Sequence, residues 1–370
     1  MVKNVKALIL AGGFGTRLRP LSCTRPKLMF PVANKPILDR ILKNLSENGV
    51  THVVLAVNYL ADILIHNFGD SKYGIKISYS YEKKPLGTGG PIKKAEDLLN
   101  NSDEPFLVLN GDIFTSINYL DLLKIHKKTD AIATLALYEV EDPSRFGVVD
   151  INGKGQIRSF VEKPKIEEAP SRLINAGVYI LDQAIFDIIP AGKKISIERE
   201  IFPILAMKDR LYGMKFEGVW VDLGKPKDFI RANRLMLDLI ASKKPFIEKN
   251  VKIGKNVKII PPVAIGKGVI IEEETYIGPY VSIGDGVTIS KGSRIENSII
   301  FSKAWIDHFT SIRGAIIGEG AIIEGGVKIE DGCIVGDHAI INNNVTLTKN
   351  VKVCPSKEVK NSILEPKTVL

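Results

Sequence analysis

The chain has 370 residues, of which 45% are hydrophobic and 25% are charged, and its formal net charge is +9. These values are ordinary for a soluble globular protein, and the length allows two domains with a sizeable core. No apolar run reaches membrane-spanning length, and the first residues lack a signal-peptide pattern, so no membrane partner is expected. Lysines are spread evenly without aromatic interleaving, which argues against a nucleic-acid partner. The positive charge suits small anionic ligands. The three cysteines have neither metal-ligand nor pairing spacing, so a cytoplasmic location is expected.

A buried strand is predicted at Val5–Leu10, and it leads directly into a loop rich in glycine. The loop and the residues after it hold three glycines and two cations: Gly12, Gly13, Gly15, Arg17 and Lys27. Glycine lets backbone amides approach an anion closely and the cations neutralise it, so the segment predicts a phosphate-binding loop. Its spacing fits neither the dinucleotide-binding pattern nor the Walker pattern. The alternative is an ordinary strand-to-helix turn with solvated cations.

Up to about residue 240, short apolar strands alternate with amphipathic helical segments. Helix-sized connections between such strands predict a mostly parallel sheet with helices on both faces, which is an α/β fold. The predicted elements after the first strand are a helix opened by Pro36 and ended by Gly49, strands at Val53–Val57 and Ile75–Tyr79, a helix at Pro91–Leu99 and a strand at Phe106–Leu109.

After about residue 250 the hydrophobic period changes to six residues. Isoleucines recur in this register from Ile253 to Ile295, the phase slips, and the register resumes from Ile317 to Leu347. Neither a helix nor a simple alternating strand has this period, whereas a hexapeptide solenoid does, with one inward aliphatic residue per six-residue face. A set of ordinary β-hairpins is the alternative. The last segment, Val351–Leu370, is expected to cap or pair the open end of the solenoid.

Two aspartates follow short apolar strands. Asp112 comes just after the strand at Phe106–Leu109, and Asp222 follows Val219–Val221. Open α/β sheets bind ligands at the carboxyl ends of their strands, and Mg²⁺ takes one or two carboxylates together with phosphate oxygens. Asp112 is therefore a candidate magnesium ligand, and Asp222 occupies a similar position after an apolar strand. The alternative for each is a cap of the helix that follows, because Asp is a favoured N-cap residue.

The spacing Gly12-Gly13-x-Gly15-Thr16-Arg17-Leu18-x-Pro20-Leu21, followed by Pro26-Lys27, Pro31-Val32 and Lys35-Pro36, resembles the signature of the sugar-nucleotide pyrophosphorylases. Ser22 stands where threonine is commoner in that signature. Five later segments resemble family elements in the family's order: Pro85–Gly90, Phe146–Val149, Phe160–Pro164, Asn175–Tyr179 and Trp220–Gly224. The first of them, Pro85–Gly90, resembles the family's base-binding loop. The resemblance implies a Rossmann-like mixed sheet in a nucleotidyltransferase domain over residues 1–240. It also implies a left-handed parallel β-helix of hexapeptide repeats over residues 241–370.

The resemblance also implies a set of site residues. Catalytic roles are implied for Arg17, Lys27, Asp112, Lys163 and Asp222, with Asp112 and Asp222 sharing Mg²⁺. Nucleotide contacts are implied for Leu10, Ala11, Gly12, Gly13, Gly15, Thr16, Glu82, Pro85, Gly87, Thr88 and Gly111. Sugar-phosphate contacts are implied for Gly147, Glu162, Lys163, Asn175 and Gly177.

Within the family, the runs Ser196–Pro203 and Gly224–Phe229 most resemble the mannose-1-phosphate guanylyltransferases. This implies that GTP and mannose 1-phosphate react to give GDP-mannose and pyrophosphate, in a homo-oligomer that assembles through the β-helix. Three alternatives stay open. They are a glucose-1-phosphate thymidylyl- or uridylyltransferase, a non-catalytic regulatory paralogue, and acyl transfer on the β-helix with His308. The five histidines show no ligand or triad spacing and are interpreted as surface or packing residues.

Overall fold

The computed structural model describes residues 5–100 and 104–370. They form two compact units. The first, here the sheet unit, contains the chain up to Gly13 together with Leu38–Asp222; the second, here the solenoid unit, contains Phe14–Ile37 together with Leu223–Leu370. The division passes through the glycine loop, and the boundary at residue 240 stays a prediction. Among the described residues, no helix combines the length and the apolar character needed to cross a bilayer.

The core of the sheet unit is a ten-stranded sheet. Its strands are β1 (Val5–Leu10), β2 (Val50–Val57), β3 (Ser71–Lys72), β4 (Ile75–Tyr81), β5 (Phe106–Asn110), β6 (Ala133–Glu139), β7 (Gly147–Ile151), β8 (Ile157–Glu162), β9 (Leu173–Leu181) and β10 (Leu211–Lys215). Their spatial order is β8-β7-β9-β5-β1-β2-β4-β3, while β6 pairs with β9 and β10. A small two-stranded sheet joins Ile113–Thr115 to Trp220–Asp222. The predicted strands are therefore confirmed, and the structure extends three of them by one to three residues.

The sheet is parallel in its first half and largely antiparallel in its second. β1 pairs in parallel with β2 and β5, and β2 with β4. β9 is antiparallel to β5, β6 and β7, and β7 is antiparallel to β8. A parallel pair needs a crossover of a dozen or more residues, but only residues 152–156 separate β7 from β8. The expectation of a mostly parallel sheet is therefore wrong for the second half, and the mixed sheet is confirmed.

Helices connect these strands and cover the sheet. They are α1 (Ile37–Glu47), α2 (Ala61–Phe68), α3 (Gly90–Lys94), α4 (Glu96–Leu99), α5 (Tyr119–His126), α6 (Ile185–Ile188), α7 (Phe202–Met207) and, in the solenoid unit, α8 (Pro226–Ala241). The helix predicted at Pro91–Leu99 is two short helices that meet at Ala95. α1 starts one residue later than predicted, because Pro36 belongs to a small hairpin in which Pro31–Val32 pairs with Lys35–Pro36.

The solenoid unit is a parallel β-helix with three sheets. One sheet has eight strands: Phe246–Ile247, Val263–Ile265, Val281–Ile283, Ile299–Ile300, Ile316–Ile317, Ile334–Val335, Lys352–Val353 and Thr368–Val369. The second has seven: Lys252–Ile253, Ile270–Ile271, Thr288–Ile289, Trp305–Ile306, Ile322–Ile323, Ile340–Ile341 and Glu358–Val359. The third has six: Lys258–Ile259, Tyr276–Ile277, Arg294–Glu296, Ser311–Arg313, Lys328–Ile329 and Thr346–Leu347. All neighbours pair in parallel, which excludes ordinary hairpins and confirms the predicted β-helix.

The phase slip seen in the sequence arises because two faces of the β-helix are each one residue shorter than the others. Paired strands are 18 residues apart at Lys252 and Ile270, but 17 apart at Ser282 and Ile299 and again at Ile299 and Ile316. The inward aliphatic side chains stay buried despite the two shorter faces. The final segment continues the coil through Thr368–Val369, which pairs with Lys352–Val353. Its capping role stays a prediction.

Within the solenoid unit, the segment after the glycine loop packs on α8 and on the coil. The rings of Phe30, Phe229 and Phe301 form a buried cluster with centroids 5.5–6.3 Å apart. The buried Asn233 of α8 joins the two sides through its Oδ1. That atom accepts hydrogen bonds from the backbone N–H of Ala33 at 2.8 Å and from the Ser282 hydroxyl at 2.6 Å. The segment Phe14–Ile37, here called the signature segment, is thus an integral part of the solenoid unit.

Candidate nucleotidyltransferase site

The carboxyl ends of the parallel strands bring the first loop and the Asp112 segment together. Leu10, the last residue of β1, lies opposite Ala56 of β2 and Asn110 of β5. The backbone N–H of Ala11 donates to the Ala56 carbonyl at 2.9 Å, and that of Gly111 donates to the Leu10 carbonyl at 3.0 Å. Ligands of open α/β sheets bind at such an edge. Three of the predicted nucleotide residues therefore meet there.

Asp112 and Asp222 come from neighbouring backbone positions. Asp222 ends the strand Trp220–Asp222, where it lies directly opposite Ile113 in an antiparallel pair. Asp112 precedes Ile113 in the chain, and both carboxylates are half-buried. The two acids are 110 positions apart in the sequence, yet the small sheet joins their backbones at one end of the site.

Neither aspartate caps a helix. Asp112 is followed by the strand Ile113–Thr115, and the next helix, α5, is capped by the Asn118 side chain. α8 has Lys225 as its N-cap residue, and the Lys225 N–H donates to the carboxylate of Asp228 at 3.1 Å. The alternative interpretation of both acids as helix caps is therefore excluded.

Glu82 is a buried acid beside the glycine loop. It follows β4, its N–H donates to the Val57 carbonyl at 2.9 Å, and it is 7% exposed. A Cβ on Gly12 would lie 2.9 Å from Glu82 Oε2, so a side chain there would press on the carboxylate. Within the described part of the chain, Glu82 Oε1 and the Nδ2 of Asn58 are buried without hydrogen-bond partners. Burial raises the pKa of the Glu82 carboxyl, and the Leu86 N–H opposes that shift.

The predicted base-binding loop, Pro85–Gly90, is held by a neighbouring segment. Gly87 forms a parallel bridge with Ile195. The Ile195 N–H donates to the Leu86 carbonyl, and the Gly89 N–H donates to the Ile195 carbonyl, both at 2.9 Å. The loop is thereby paired through its backbone on one side.

Thr88 ties this loop to a π-helix at Ile197–Ile201. Its hydroxyl donates to Glu198 Oε2 at 2.5 Å and accepts from the Ile197 N–H at 3.0 Å. The Ser196 hydroxyl also donates to Glu198 Oε2, at 2.9 Å. π-Helical turns occur frequently at functional sites. The run Ser196–Pro203, noted above for its sub-family resemblance, therefore supports the predicted base-binding loop.

Three of the predicted sugar-phosphate residues, Gly147, Glu162 and Lys163, lie at the start of β7 and the end of β8. Gly147 is opposite Glu162. Lys163 has a left-handed backbone with a φ of 54°, and its N–H donates to the Phe146 carbonyl at 2.9 Å. Its ammonium lies 3.0 Å from Glu162 Oε1 and is largely exposed, whereas Glu162 is mostly buried. A cation beside a carboxylate at this position can contact a phosphate and a hydroxyl of one ligand.

Asn175 and Gly177 form an irregularity in β9, whose pairing with β6 breaks between Asn175 and Tyr179. The Gly177 N–H donates to Asn175 Oδ1, and Asn175 Nδ2 donates to the Tyr179 hydroxyl, both at 3.0 Å. Part of the hydrogen-bonding capacity of the Asn175 amide thus holds the bulge, and the rest remains for a ligand. Gly177 has a φ of 73°, a region that an L-residue adopts only with strain.

Four predicted residues belong to the solenoid unit: Gly15, Thr16, Arg17 and Lys27. Gly15 has a left-handed conformation and begins the short helix Thr16–Leu18, and its carbonyl accepts the hydroxyl of the buried Ser22 at 2.7 Å. The serine that stands in place of threonine therefore keeps the hydroxyl that closes this turn. Arg17 is exposed, and Lys27 is half-buried at the start of the helix Lys27–Met29.

The histidines fit their predicted roles as surface or packing residues where contacts are seen. His126 is buried against the Thr134 hydroxyl, with Nδ1 and Oγ1 2.8 Å apart. His308 is exposed on the solenoid beside Asp307. Across residues 5–100 and 104–370, no group of three or more His, Cys, Asp or Glu side chains is arranged to hold a metal.

The model of the nucleotidyl transferase family matches residues 6–238, and the model of the GMPPB C-terminal domain matches residues 259–369. The chain belongs to the nucleotidyl transferase family. It is 45% identical over 317 residues to the mannose-1-phosphate guanylyltransferase catalytic subunit beta of Dictyostelium discoideum, which covers 85% of this chain and 86% of the relative. It is 37% identical to the probable mannose-1-phosphate guanylyltransferase 3 of Oryza sativa subsp. japonica, over 99% of this chain and 100% of the relative.

Among solved structures, this nucleotidyl transferase family member is similar to HddC from Yersinia pseudotuberculosis, crystallised with GMP-PN. The two share 30% sequence identity with a TM-score of 0.53, over 63% of this chain and 99% of HddC. The family resemblance predicted from the sequence is confirmed by these comparisons. The individual site residues stay predictions.

Two polar residues near the site lie outside the predicted set. Asn58 directly follows β2, and Glu198 lies in the π-helix that bonds Thr88. A polar residue just past a buried strand was the signal that identified Asp112, and it would have identified Asn58 as well. Glu198 has no such signal, because only the fold brings its segment to the loop.

Proposed function

We propose that this chain transfers a nucleotidyl group from GTP to mannose 1-phosphate, with release of pyrophosphate and formation of GDP-mannose. The names of its relatives support this reaction. The sheet unit supports it too, because Leu10, Ala11 and Gly111 meet at the carboxyl edge of its parallel strands, and the small sheet joins the backbones at Asp112 and Asp222.

In the proposed reaction, a phosphate oxygen of the sugar phosphate attacks the α-phosphorus of GTP, and the bond from that phosphorus to the β-phosphate oxygen breaks. No protein base is required, because the second pKa of a phosphate monoester is about 6 and the nucleophile is already ionised near neutral pH. The chain therefore supplies position and charge. Arg17 binds the departing β- and γ-phosphates, Lys27 contacts the α-phosphate, and Lys163 orients the sugar phosphate. Each such contact is worth about 3 kcal/mol in the transition state.

Asp112 and Asp222 would hold Mg²⁺. Their backbones are joined by the small sheet, and two carboxylates without a His or Cys ligand are a donor set suited to Mg²⁺. A protein cage of three or more ligands is not needed, because Mg²⁺ keeps several waters and takes its remaining ligands from substrate phosphates. When bound, the ion neutralises charge on the α-phosphate and on the attacking phosphate.

We propose guanine rather than uracil or thymine as the base because the carboxylate of Glu82 is buried beside the glycine loop. An ionised carboxylate only accepts hydrogen bonds, and the Watson–Crick edge of guanine presents two adjacent donors, N1–H and N2–H. Uracil and thymine present one N–H between two carbonyl oxygens, which a carboxylate repels. Burying an acceptor without a partner costs about 1–3 kcal/mol, and a guanine donor at Glu82 Oε1 would remove that cost.

We further propose a homo-oligomer that assembles through the β-helix, and a cytoplasmic location. An open end of a β-helix leaves backbone N–H and C=O groups that must be capped or paired, and a second copy can cover them. Sedimentation of the purified chain at micromolar concentration tests the oligomer, and a monodisperse monomer would contradict it.

A matrix of nucleoside triphosphates against sugar 1-phosphates, with product mass as the readout, tests the function. We expect GDP-mannose as the fastest product. UDP- or dTDP-glucose as the fastest product would contradict the choice of substrates. Binding of nucleotide sugars without any turnover would contradict the enzymatic role and fit the regulatory alternative.

A further inference from the structure

One corner of the β-helix differs from an otherwise matching corner. The sequence Gly-Asp occurs at Gly284-Asp285 and at Gly336-Asp337, each just after an inward aliphatic residue. In both, the Asp Oδ1 accepts a backbone N–H from the preceding coil, at 2.8 Å from Lys267 for Asp285 and at 2.7 Å from Glu319 for Asp337. Each aspartate thus makes the same bond between coils.

The two corners differ in what covers them. Asp285 is exposed, whereas Asp337 is 2% exposed. The second carboxylate oxygen of Asp337, Oδ2, accepts the Thr24 hydroxyl at 2.5 Å and lies 2.5 Å from Nη2 of Arg25. The same Nη2 lies 2.9 Å from Glu319 Oε2. Asp285 bonds only within the coil in this comparison, whereas Asp337 bonds the coil through Oδ1 and the signature segment through Oδ2.

Arg25 is fixed by its ring contact as well as by charge. Its guanidinium carbon lies 4.9 Å from the centre of the Phe301 ring, and only 15% of its side chain is exposed. Phe301 in turn packs against Phe30, which follows the helix Lys27–Met29. Lys27 thus lies between two anchors on the same β-helix, with Arg25 on one side and Phe30 on the other.

We propose that Arg25 and Asp337 are positioning residues for Lys27 and Arg17, so that the β-helix takes part in phosphate binding within each chain and is more than an assembly surface. This inference rests on the proposed function, which assigns the two cations to the triphosphate. Both belong to the same unit as their anchors. Without the Asp337 carboxylate, Arg25 keeps only the partly exposed Glu319 as a charged partner and the Thr24 hydroxyl loses its charged acceptor, so the segment shifts. A displacement of about 1 Å in a positioning contact can lower the rate about 100-fold.

The test compares Asp337→Asn with Asp285→Asn, which removes the same charge from the matching corner without touching the signature segment. We expect Asp337→Asn to lower kcat by about 10- to 100-fold and to reduce the ratio of GTP affinity to GMP affinity by a similar factor, because GMP lacks the β- and γ-phosphates. KM for mannose 1-phosphate should change by less than about threefold, since Lys163 and Glu162 lie in the sheet unit. Asp285→Asn should match the wild type in all of these values.

Thr24→Val and Arg25→Lys are milder variants that keep the test informative if Asp337→Asn does not fold. Arg25→Lys retains the charge but loses the planar fork and the ring contact, so kcat should fall about tenfold with an unchanged sedimentation mass. Wild-type kcat and GTP-to-GMP affinity ratio in both milder variants would overturn the inference while the proposed function stands. A wild-type chain that neither turns over nor binds any nucleoside triphosphate would instead overturn the proposed function.

Discussion

Replacing Glu82 by glutamine should change which base the chain accepts. Glutamine has the shape of glutamate but carries an amide N–H₂ in place of one carboxylate oxygen. Against guanine, that N–H₂ would face a ring donor, so one charge-assisted hydrogen bond is lost and two donors are forced together. A hydrogen bond to a charged group is worth about 1.5–3 kcal/mol. With the added donor conflict, the loss is about 3–4 kcal/mol, which lowers kcat/KM for GTP about 10²- to 10³-fold.

The assay compares GTP, ITP, UTP and dTTP, each with mannose 1-phosphate, by pyrophosphate release. Inosine lacks the guanine N2 amine, so the wild type should use ITP about 10- to 100-fold less well than GTP. Glu82→Gln should remove most of that difference, and its kcat/KM for UTP should stay constant or rise. Glu47→Gln is the control, since Glu47 is an exposed acid in an ion pair with Lys43 at the end of α1. A Glu82→Gln variant that keeps the wild-type GTP-to-ITP ratio would refute the assignment.

Three further outcomes follow from the same structure. Asp112→Asn and Asp222→Asn should each bind nucleotide but lower kcat at least about 100-fold, and near-normal kcat at saturating Mg²⁺ would contradict their role as metal ligands. Gly177→Ala should lower the free energy of unfolding by about 2–4 kcal/mol in a denaturant titration, because the added Cβ would lie 2.8 Å from Asn110 Nδ2 in a left-handed backbone; a change below 1 kcal/mol would count against this. Since burial raises the Glu82 pKa, the folded chain binds that proton more tightly than the unfolded chain. The free energy of unfolding of the wild type, relative to that of Glu82→Gln, should therefore be greatest below about pH 4.3 and should decline as the pH rises through the raised pKa of Glu82. Melting temperatures of both chains between about pH 4 and pH 8 measure this difference. A difference that stays constant over this range would contradict the expectation.

The fold was predictable wherever a hydrophobic period is strong. The six-residue period predicted the β-helix because each six-residue face carries an inward aliphatic residue, and the phase slip corresponds to two shortened faces. The first half of the sheet was equally clear, because its strands are separated by helices. The antiparallel second half was not, since β9 pairs with β5, β6 and β7, and its register with β6 shifts between Asn175 and Tyr179.

The site was predictable where residues follow strands directly. Asp112 and Asp222 could be paired only through the resemblance, because the small sheet that joins their backbones consists of two three-residue strands without a strong pattern. The anchors of the signature segment could not be predicted at all. Arg25 and Asp337 are 312 positions apart, and Asp337 shares its Gly-Asp dipeptide with the exposed Asp285. Only the packing of the segment on the coil distinguishes them.

The most direct test of the central claim is the stoichiometry of a reaction between GTP and mannose 1-phosphate with the purified full chain. The account predicts equal amounts of pyrophosphate and GDP-mannose, with no pyrophosphate released when either mannose 1-phosphate or Mg²⁺ is omitted. Pyrophosphate released from GTP without the sugar phosphate, or no product with both substrates present, would contradict it.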